Sequence, residues 1–209
     1  AFSLVAVLLK LPHELAALGE LKEATQALRL VVGRLTEALA AEFGKAAATL
    51  WREAPPATWR QPAAAPVAKG EPSAAATAVG QGLLQPLLNA LRPLHAHTAH
   101  ALRPAALSAT LHALLAQVAH AGTKGGGITA AGAQAIRTDV KHLQSVLGLA
   151  GASSTRSESE WDVAAPVVQR AVAICELLSA PRAALDAPKH AHAWANLTDA
   201  HDWIKLRKN

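Results

Sequence analysis

A glycine run followed by apolar residues at helical spacing is the feature that most constrains how this chain can fold. The stretch runs from Gly125 to Leu149 and reads GGGITAAGAQAIRTDVKHLQSVLGL. Glycine frees the backbone, and the hydroxyl of Thr129 is suited to cap the N-terminus of a helix. Steps of three and four residues then separate Ala133, Ile136, Val140, Leu143 and Leu147. We therefore predict a helix of about five turns that buries this apolar stripe.

The polar residues of the same stretch lie off the stripe, and we expect all of them except the aspartate to face water. They are Arg137, Asp139, Lys141 and Gln144. The glycines after Lys124 are not followed by the lysine and hydroxyl residue of a phosphate-binding loop, so we interpret them as a flexible joint. The stretch also lacks the arrangement of a catalytic triad.

Composition favours helices along the whole chain. Hydrophobic residues make up 51% of it, much of this alanine, whereas aromatic residues make up 3% and tyrosine is absent. Alanine and leucine favour helix, and runs rich in β-branched and aromatic residues are missing. The sequence therefore predicts an all-α fold.

Apolar spacing and prolines set the expected helix bounds. A first helix should cover about 13 to 51, with a stripe formed by Leu21, Leu28, Val31, Leu35, Leu39, Phe43, Ala46 and Leu50. Two helices should lie between about 74 and 121, with breaks or kinks near Leu91 and Arg103, because Pro93 and Pro104 disfavour helix just before them. After the helix that follows the glycine run, one more helix should end near 180, and a last short helix should cover roughly 193–207. Their apolar faces should hold Val163, Val167, Ala171, Ile174 and Leu178, then Trp194, Leu197, Ile204 and Leu206.

A stretch rich in proline and alanine divides the chain. Because proline removes backbone donors and blocks helix, we predict a helical segment over 1–52, a linker over 53–73 and a C-terminal helical bundle over 74–209. Trp51 and Trp59 flank the start of this linker. We expect them to pin it to the bundle, since a fully exposed tryptophan wastes apolar area.

Charge leaves a nucleic-acid binder open as an alternative. The formal net charge is +5, and the isoelectric point is near 9.7. However, the 20 lysines and arginines are spread among 15 acidic residues, which is typical of a mixed solvated surface. A basic helical nucleic-acid-binding module would need its cations clustered on one face.

Histidine and cysteine offer weak candidates for chemistry. His97 and His100 could share a helix face with His95 nearby, but no carboxylate or cysteine lies close to them in the sequence. Solvated histidines are the simpler interpretation, and a metal-dependent bundle enzyme is the alternative. Cys175 is the single cysteine and lies in an apolar helical pattern, so we expect a buried, inert thiol in a reducing compartment.

The chain contains no methionine, not even at position 1, so we expect a fragment of a longer protein or an incomplete gene model. The apolar run from Phe2 to Leu11 is shorter than the roughly 20 residues that span a bilayer. No basic residues precede it, as they would in a signal peptide. We expect it to be the end of a core helix.

The order of motifs between 132 and 206 carries a family resemblance. A glycine–alanine start, an aspartate, a leucine and a valine–leucine pair stand at Gly132, Ala133, Asp139, Leu143, Val146 and Leu147. A second motif comprises Arg170, Ala171, Ile174, Ala180 and Pro181, and a third comprises Trp203, Ile204, Lys205 and Leu206. In this order the stretch resembles the C-terminal region of the vacuolar protein sorting-associated protein 53 family. Other tethering-complex subunits, of Golgi and exocyst type, have similar helices.

The resemblance implies both an architecture and a function. The architecture is an elongated helical bundle of the rod-shaped CATCHR type of tethering subunit. The family belongs to the Golgi-associated retrograde protein complex, which captures endosome-derived vesicles at the trans-Golgi network and promotes SNARE-mediated fusion. The resemblance thus implies a cytoplasmic, peripheral membrane protein of the trans-Golgi network and endosomes that binds other tethering subunits, SNAREs and small GTPases. It would not be an enzyme, would use no cofactor and would bind no nucleic acid.

Basic and polar residues are the candidate partner-binding positions. Three lie off the predicted apolar stripe, at Arg137, Lys141 and Gln144, and three lie near the C-terminus, at Lys205, Arg207 and Lys208. Complementary charge would speed the encounter with an acidic SNARE segment, a GTPase or an anionic lipid. Ordinary solvated residues would give the same pattern.

Overall fold

The described part of the protein is almost entirely helical. The computed structural model describes residues 22–53, 59, 70–92, 96–124, 126–148, 158–185 and 193–207. Its helices are α1 (Lys22–Glu53), α2 (Ala74–Val79), α3 (Gln85–Leu91), α4 (Ala96–Lys124), α5 (Ala130–Val146), α6 (Glu158–Ser179), α7 (Arg182–Leu185) and α8 (Ala200–Lys205). These ranges contain no strand beyond an isolated bridge between Ile128 and Arg207. The prediction of an all-α fold is confirmed.

The long helices form a closed bundle. Helix α4 packs against α1 on one side and α6 on another, and α5 packs against α6. Helix α2 and the π-helical turn Gly80–Leu84 contact both α1 and α5, which closes the bundle around a common core. In the described ranges, no helix combines the length and apolar character that crossing a membrane would require. The division of the chain at 53–73 into two helical units stays a prediction.

Helix α5 forms as its sequence predicts. Thr129 has extended backbone angles, and its hydroxyl oxygen accepts a hydrogen bond from the Gly132 N–H at 3.0 Å. The five predicted stripe residues are all buried. The amphipathic pattern and the side-chain cap therefore set both the start and the orientation of this helix.

Helix α1 only partly follows its predicted stripe. Val31 is 46% exposed and Ala46 is exposed, whereas Ala47 and Trp51 are fully buried. The predicted face is therefore wrong at those two positions. The cause is that α4 covers the C-terminal part of α1, while large apolar side chains near its N-terminus stay in water, including Leu30 at 63% exposure. Residues 13–21, and the side chain of Leu28, lie outside the described residues.

The prolines of this region have different effects on the helices, and one of the two expected breaks is confirmed. Helix α3 ends at Leu91, as predicted. Of the break or kink expected near Arg103, a break is wrong, because α4 continues through Pro104, and a kink stays a prediction. A proline inside a helix costs about 3 kcal/mol, which the packing of α4 against two other helices offsets. Pro86 has no N–H to donate, and the turn before it widens, so that the Gln85 N–H bonds to the Gly80 carbonyl.

The C-terminal elements divide where one helix was predicted. A 3₁₀ turn, Ala193–Asn196, is followed by α8, so a single helix over 193–207 is wrong. Trp203 is buried while Ile204 is 38% exposed, which reverses the expected placement of Ile204. The reason is the hydrogen bond from the Trp203 indole N–H to Asp199 Oδ2, at 2.9 Å, which fixes which face of α8 points inward.

Helix α6 carries the single cysteine into the core. Ala171, Ile174 and Leu178 are fully buried, as predicted, and the side chain of Val163 lies outside the described residues. Cys175 is also buried, and burial raises the pKa of its thiol to about 12. Since the thiolate is the reactive form, this environment suits an inert cysteine.

Replacing Leu143 by alanine tests the assignment of the core. Leu143 is completely buried on α5, so Leu143→Ala removes packed atoms and leaves a cavity. We expect a loss of about 2–5 kcal/mol in the free energy of unfolding, measured by urea denaturation. An unchanged transition midpoint would mean that this face of α5 is not in the core.

Candidate functional site

A buried carboxylate on α5 is the most unusual polar group of the described core. Asp139 lies off the predicted apolar stripe, yet the residue is 0% exposed. Its Oδ1 accepts the backbone N–H of Ser73 at 2.7 Å, and its Oδ2 accepts the Ser73 hydroxyl at 2.9 Å. Ser73 in turn caps α2, accepting the Ala76 N–H at 3.1 Å. The carboxylate therefore organises the start of a second helix.

Burial and hydrogen bonding act on this carboxyl group in opposite directions. Burial has the larger effect and raises the pKa of Asp139 above its ordinary value. The two hydrogen bonds from Ser73, the nearby indole of Trp59 and the charge of His142 lower it, but by less. The Trp59 indole N–H lies close to this carboxyl group, yet within the described part of the chain it makes no hydrogen bond of good geometry. The group is thus held by donors but poorly solvated.

A second contact on the same helix face holds Trp59. A Cβ atom built on Gly132 would lie 2.0 Å from the Trp59 carbonyl oxygen, so only glycine leaves room for that backbone. Trp59 is 1% exposed, and its ring stacks at a tilt on buried Trp51, with centroids 5.9 Å apart. The prediction that the two tryptophans pin the start of the proline-rich stretch is confirmed.

Helix α5 is therefore an anchor for the chain at positions 59 and 73. Gly132 and Asp139 are seven residues apart, about two helical turns, and so lie on one face. Residues 54–58 and 60–69, which include most of the predicted linker, lie outside the described residues. Sequence reasoning missed Ser73 and the role of Asp139. The signal was present in Pro72-Ser73 before an alanine run, which is typical of a helix N-cap.

A second polar cluster joins α6 to α8. Asp199 Oδ2 accepts hydrogen bonds from the Arg170 guanidinium and from the Trp203 indole. Burial raises the pKa of Asp199, but these donors and the charge of Arg170 outweigh it, and the pKa lies below its ordinary value. Arg170 and Trp203 belong to the second and third motifs of the family resemblance, so one carboxylate connects the two motifs.

The candidate residues on α5 have different surroundings. Arg137 does not point freely into water, because its guanidinium lies 3.7 Å from Glu176 on α6 and its Nε atom is buried. Lys141 is exposed, as expected, and Gln144 is half-buried. Of the three, Lys141 is the one that a partner can reach without disturbing the α5–α6 contact.

The basic residues at the C-terminus lie at the opposite end of α5. The Ile128 N–H donates to the Leu206 carbonyl at 2.7 Å, which places Arg207 beside the residues just before α5. Lys141 lies eleven residues after the start of α5, about 16 Å along its axis. Lys205 pairs with Asp202 at 3.2 Å, and Lys208 lies outside the described residues. Among the described candidates, Lys141 therefore lies about three helical turns from the point where Arg207 meets the residues before α5.

The glycine joint before α5 docks this C-terminal segment. Gly126 and Gly127 have φ angles of 76° and 101°, which glycine adopts without strain. The Gly127 N–H donates to the Gly122 carbonyl at 3.0 Å. A Cβ atom on Gly122 would lie 3.1 Å from the Leu206 Cβ, so the two segments pack closely. The joint thus has a packing role.

The histidine cluster at 95–100 falls where the structure gives no side-chain positions. His95, and the side chains of His97 and His100, lie outside the described residues. Elsewhere in the described ranges, no three histidine, cysteine or acidic residues come together as metal ligands would. His142 is half-buried beside Gly80, and none of the described residues forms a hydrogen bond with its Nε2.

An open cleft between α1 and α4 is a further candidate surface. It has a volume of about 900 Å³. Its walls are mostly alanine and glycine, with Arg29, Glu37, Lys45 and His112 among the polar residues that line it.

Comparisons with protein-family models, curated proteins and solved structures find no match to this chain.

Substituting Gly132 tests the contact with Trp59. Gly132→Ala should destabilise the protein by about 1–3 kcal/mol, because the added methyl group overlaps backbone atoms. Gly82→Ala is the matched control, since a Cβ atom there meets nothing within 4 Å. The control should be neutral or stabilising by up to ~1 kcal/mol. Equal midpoints for both variants in thermal unfolding would contradict the close approach.

The pH dependence of Asp139→Asn tests the buried carboxylate. Because its pKa is raised in the folded state, Asp139 favours folding below its ordinary pKa, and that contribution is lost as the pH rises through the raised value. Asparagine keeps an acceptor for Ser73 and has no charge to bury. The stability of Asp139→Asn relative to wild type should therefore increase between about pH 3 and about pH 7, measured by urea denaturation.

Asp139→Ala is the control for this prediction. It removes both acceptors of Ser73 and also has no charge to bury, so its stability relative to wild type should rise with pH in parallel with Asp139→Asn but lie about 1–3 kcal/mol lower throughout. A relative stability of Asp139→Asn that stays flat or falls with pH would show that hydrogen bonding, and not burial, dominates at this carboxylate.

Proposed function

We propose that this chain is a helical subunit of a multisubunit vesicle-tethering complex that acts in retrograde transport from endosomes to the trans-Golgi network. It works by binding other tethering subunits, SNAREs and small GTPases, and performs no chemistry and needs no cofactor. It is peripheral on the cytoplasmic side of trans-Golgi network and endosome membranes. In this proposal its bundle is part of a CATCHR-type rod.

The observation that supports the proposal is the structural role of the residues that carry the resemblance. Gly132 leaves room for the Trp59 backbone, and Asp139 holds the cap of α2. Arg170 of the second motif and Trp203 of the third motif meet at Asp199. Packing requires particular side chains at particular positions. Motif residues that make packing contacts therefore support a family resemblance more strongly than motif residues on the surface would.

A surface for partners on α5 is narrower than the sequence suggested. Lys141 is exposed, whereas Arg137 is engaged with Glu176. Arg137→Glu would place a second carboxylate beside Glu176. A loss of stability could then not be distinguished from a loss of partner binding. Lys141 is therefore the residue that tests whether an acidic partner uses this face.

The first experiment asks which proteins accompany the chain. The tagged protein is expressed in cells and recovered under native conditions, and the other subunits of retrograde tethering complexes are probed by immunoblotting. Their co-recovery is expected. Their absence, or binding of nucleic acid with a steep salt dependence, would contradict the proposal.

The second experiment uses Lys141→Glu in cells that lack the native subunit. Helix content and melting temperature should stay unchanged, because an exposed charge contributes about 0–1 kcal/mol to stability. Retrograde cargo sorting should weaken. Arg34→Glu, exposed on α1, is the matched control and should sort normally. A folded Lys141→Glu protein that restores full sorting would show that this face is merely solvated.

A further inference from the structure

The N-terminal third of α1 presents an open surface beside the cleft. Leu30 is 63% exposed, and a Cβ atom on Gly33 would meet nothing within 4 Å. Farther along the helix, α1 and α4 are in close contact, since a Cβ atom on Gly44 would lie 3.6 Å from the Ala109 side chain. As far as the described residues show, the apolar surface that α4 covers near Gly44 is therefore left open near Gly33.

Two opposite charges on this surface lie at equal distances on either side of a glycine. Arg29, Gly33 and Glu37 all line the cleft and are spaced by four residues, so they form one ridge along the helix. Arg29 and Glu37 are exposed, and among the described residues neither forms an ion pair. The ridge thus carries one positive charge, a gap with no side chain, and one negative charge.

Such a ridge is complementary to itself when its direction is reversed. Two helices that pack by their four-residue ridges cross at about −50°, which brings the two ridges parallel to each other. A two-fold axis at Gly33 then places Arg29 of each copy against Glu37 of the other. Because Gly33 has no side chain in either copy, the two backbones can approach each other closely. We propose that this face of α1 binds a second copy of the chain, as a symmetric antiparallel helix pair centred on Gly33.

The charge pattern favours a second copy over other occupants. A uniformly acidic segment would meet Arg29 favourably but be repelled by Glu37, and a uniformly basic segment would meet the reverse. Only a partner with both charges in the opposite order satisfies both ends. The two-fold axis supplies such a partner without any other protein, so the dimer is independent of the proposed function.

The first test measures the mass of the full 209-residue chain in solution. Sedimentation equilibrium from low micromolar to about 1 mM protein should show a reversible monomer–dimer equilibrium. A monomer throughout this range would overturn the proposal and leave the cleft for a helix of another protein. Assembly beyond a dimer would also overturn it, because an isologous two-fold contact is closed.

The second test reverses each charge separately. Arg29→Glu and Glu37→Arg should each weaken self-association about tenfold, because both ion pairs of the dimer become repulsive. Mixing the two variants should restore association as a heterodimer, since each copy then carries two like charges opposite to those of its partner. Arg34→Glu, exposed but off the ridge, is the control and should dimerise like wild type.

The mixing experiment separates this arrangement from other dimers and from misfolding. Circular dichroism of each variant should match wild type, because these exposed charges form no ion pair within the described part of the chain. Restored association in the mixture requires the two-fold pairing of positions 29 and 37. Single variants that dimerise normally, or a mixture that stays monomeric, would overturn the proposal.

Discussion

The hydrogen bonds between Asp139 and Ser73 connect distant parts of this bundle. They join residues 66 positions apart and link α5 to the first turn of α2. A carboxylate with 0% exposure is costly to bury, and here it accepts hydrogen bonds from a backbone N–H and a hydroxyl at the start of a helix. Helix α2 and the π-helical turn after it then reach both α1 and α5, so the closure of the bundle depends on this contact.

Small residues determine where the helices approach each other. Gly132 admits the Trp59 backbone, Gly122 packs against Leu206, and Gly44 lies against Ala109. Large aromatic residues are rare in this chain, so close backbone packing and leucine side chains together fill the core. Small residues also line the open cleft, where no helix in the described ranges covers the alanine and glycine surface of α1 and α4.

The sequence pattern correctly predicted those helix faces, caps and ends that depend on neighbouring residues in the sequence. The stripe of α5, the Thr129 cap and the end of α3 at Leu91 follow from spacing, capping and proline chemistry. The buried face of α1, the course of α4 through Pro104 and the burial of Asp139 did not follow, because each is decided by neighbours distant in sequence. The candidate partner surface was affected in the same way, since Glu176 of another helix engages Arg137. A charged residue off an apolar stripe is usually solvated, and only a partner from elsewhere reverses that expectation.

The anchors at positions 59 and 73 have a thermodynamic consequence as a pair. Both hold one continuous piece of chain to one face of α5, so docking of either raises the effective concentration of the other at its site. Their free energies are therefore coupled: once one anchor is lost, the other no longer has this advantage and contributes less. Helix α2 and Trp59 should accordingly detach from α5 together, as one cooperative unit.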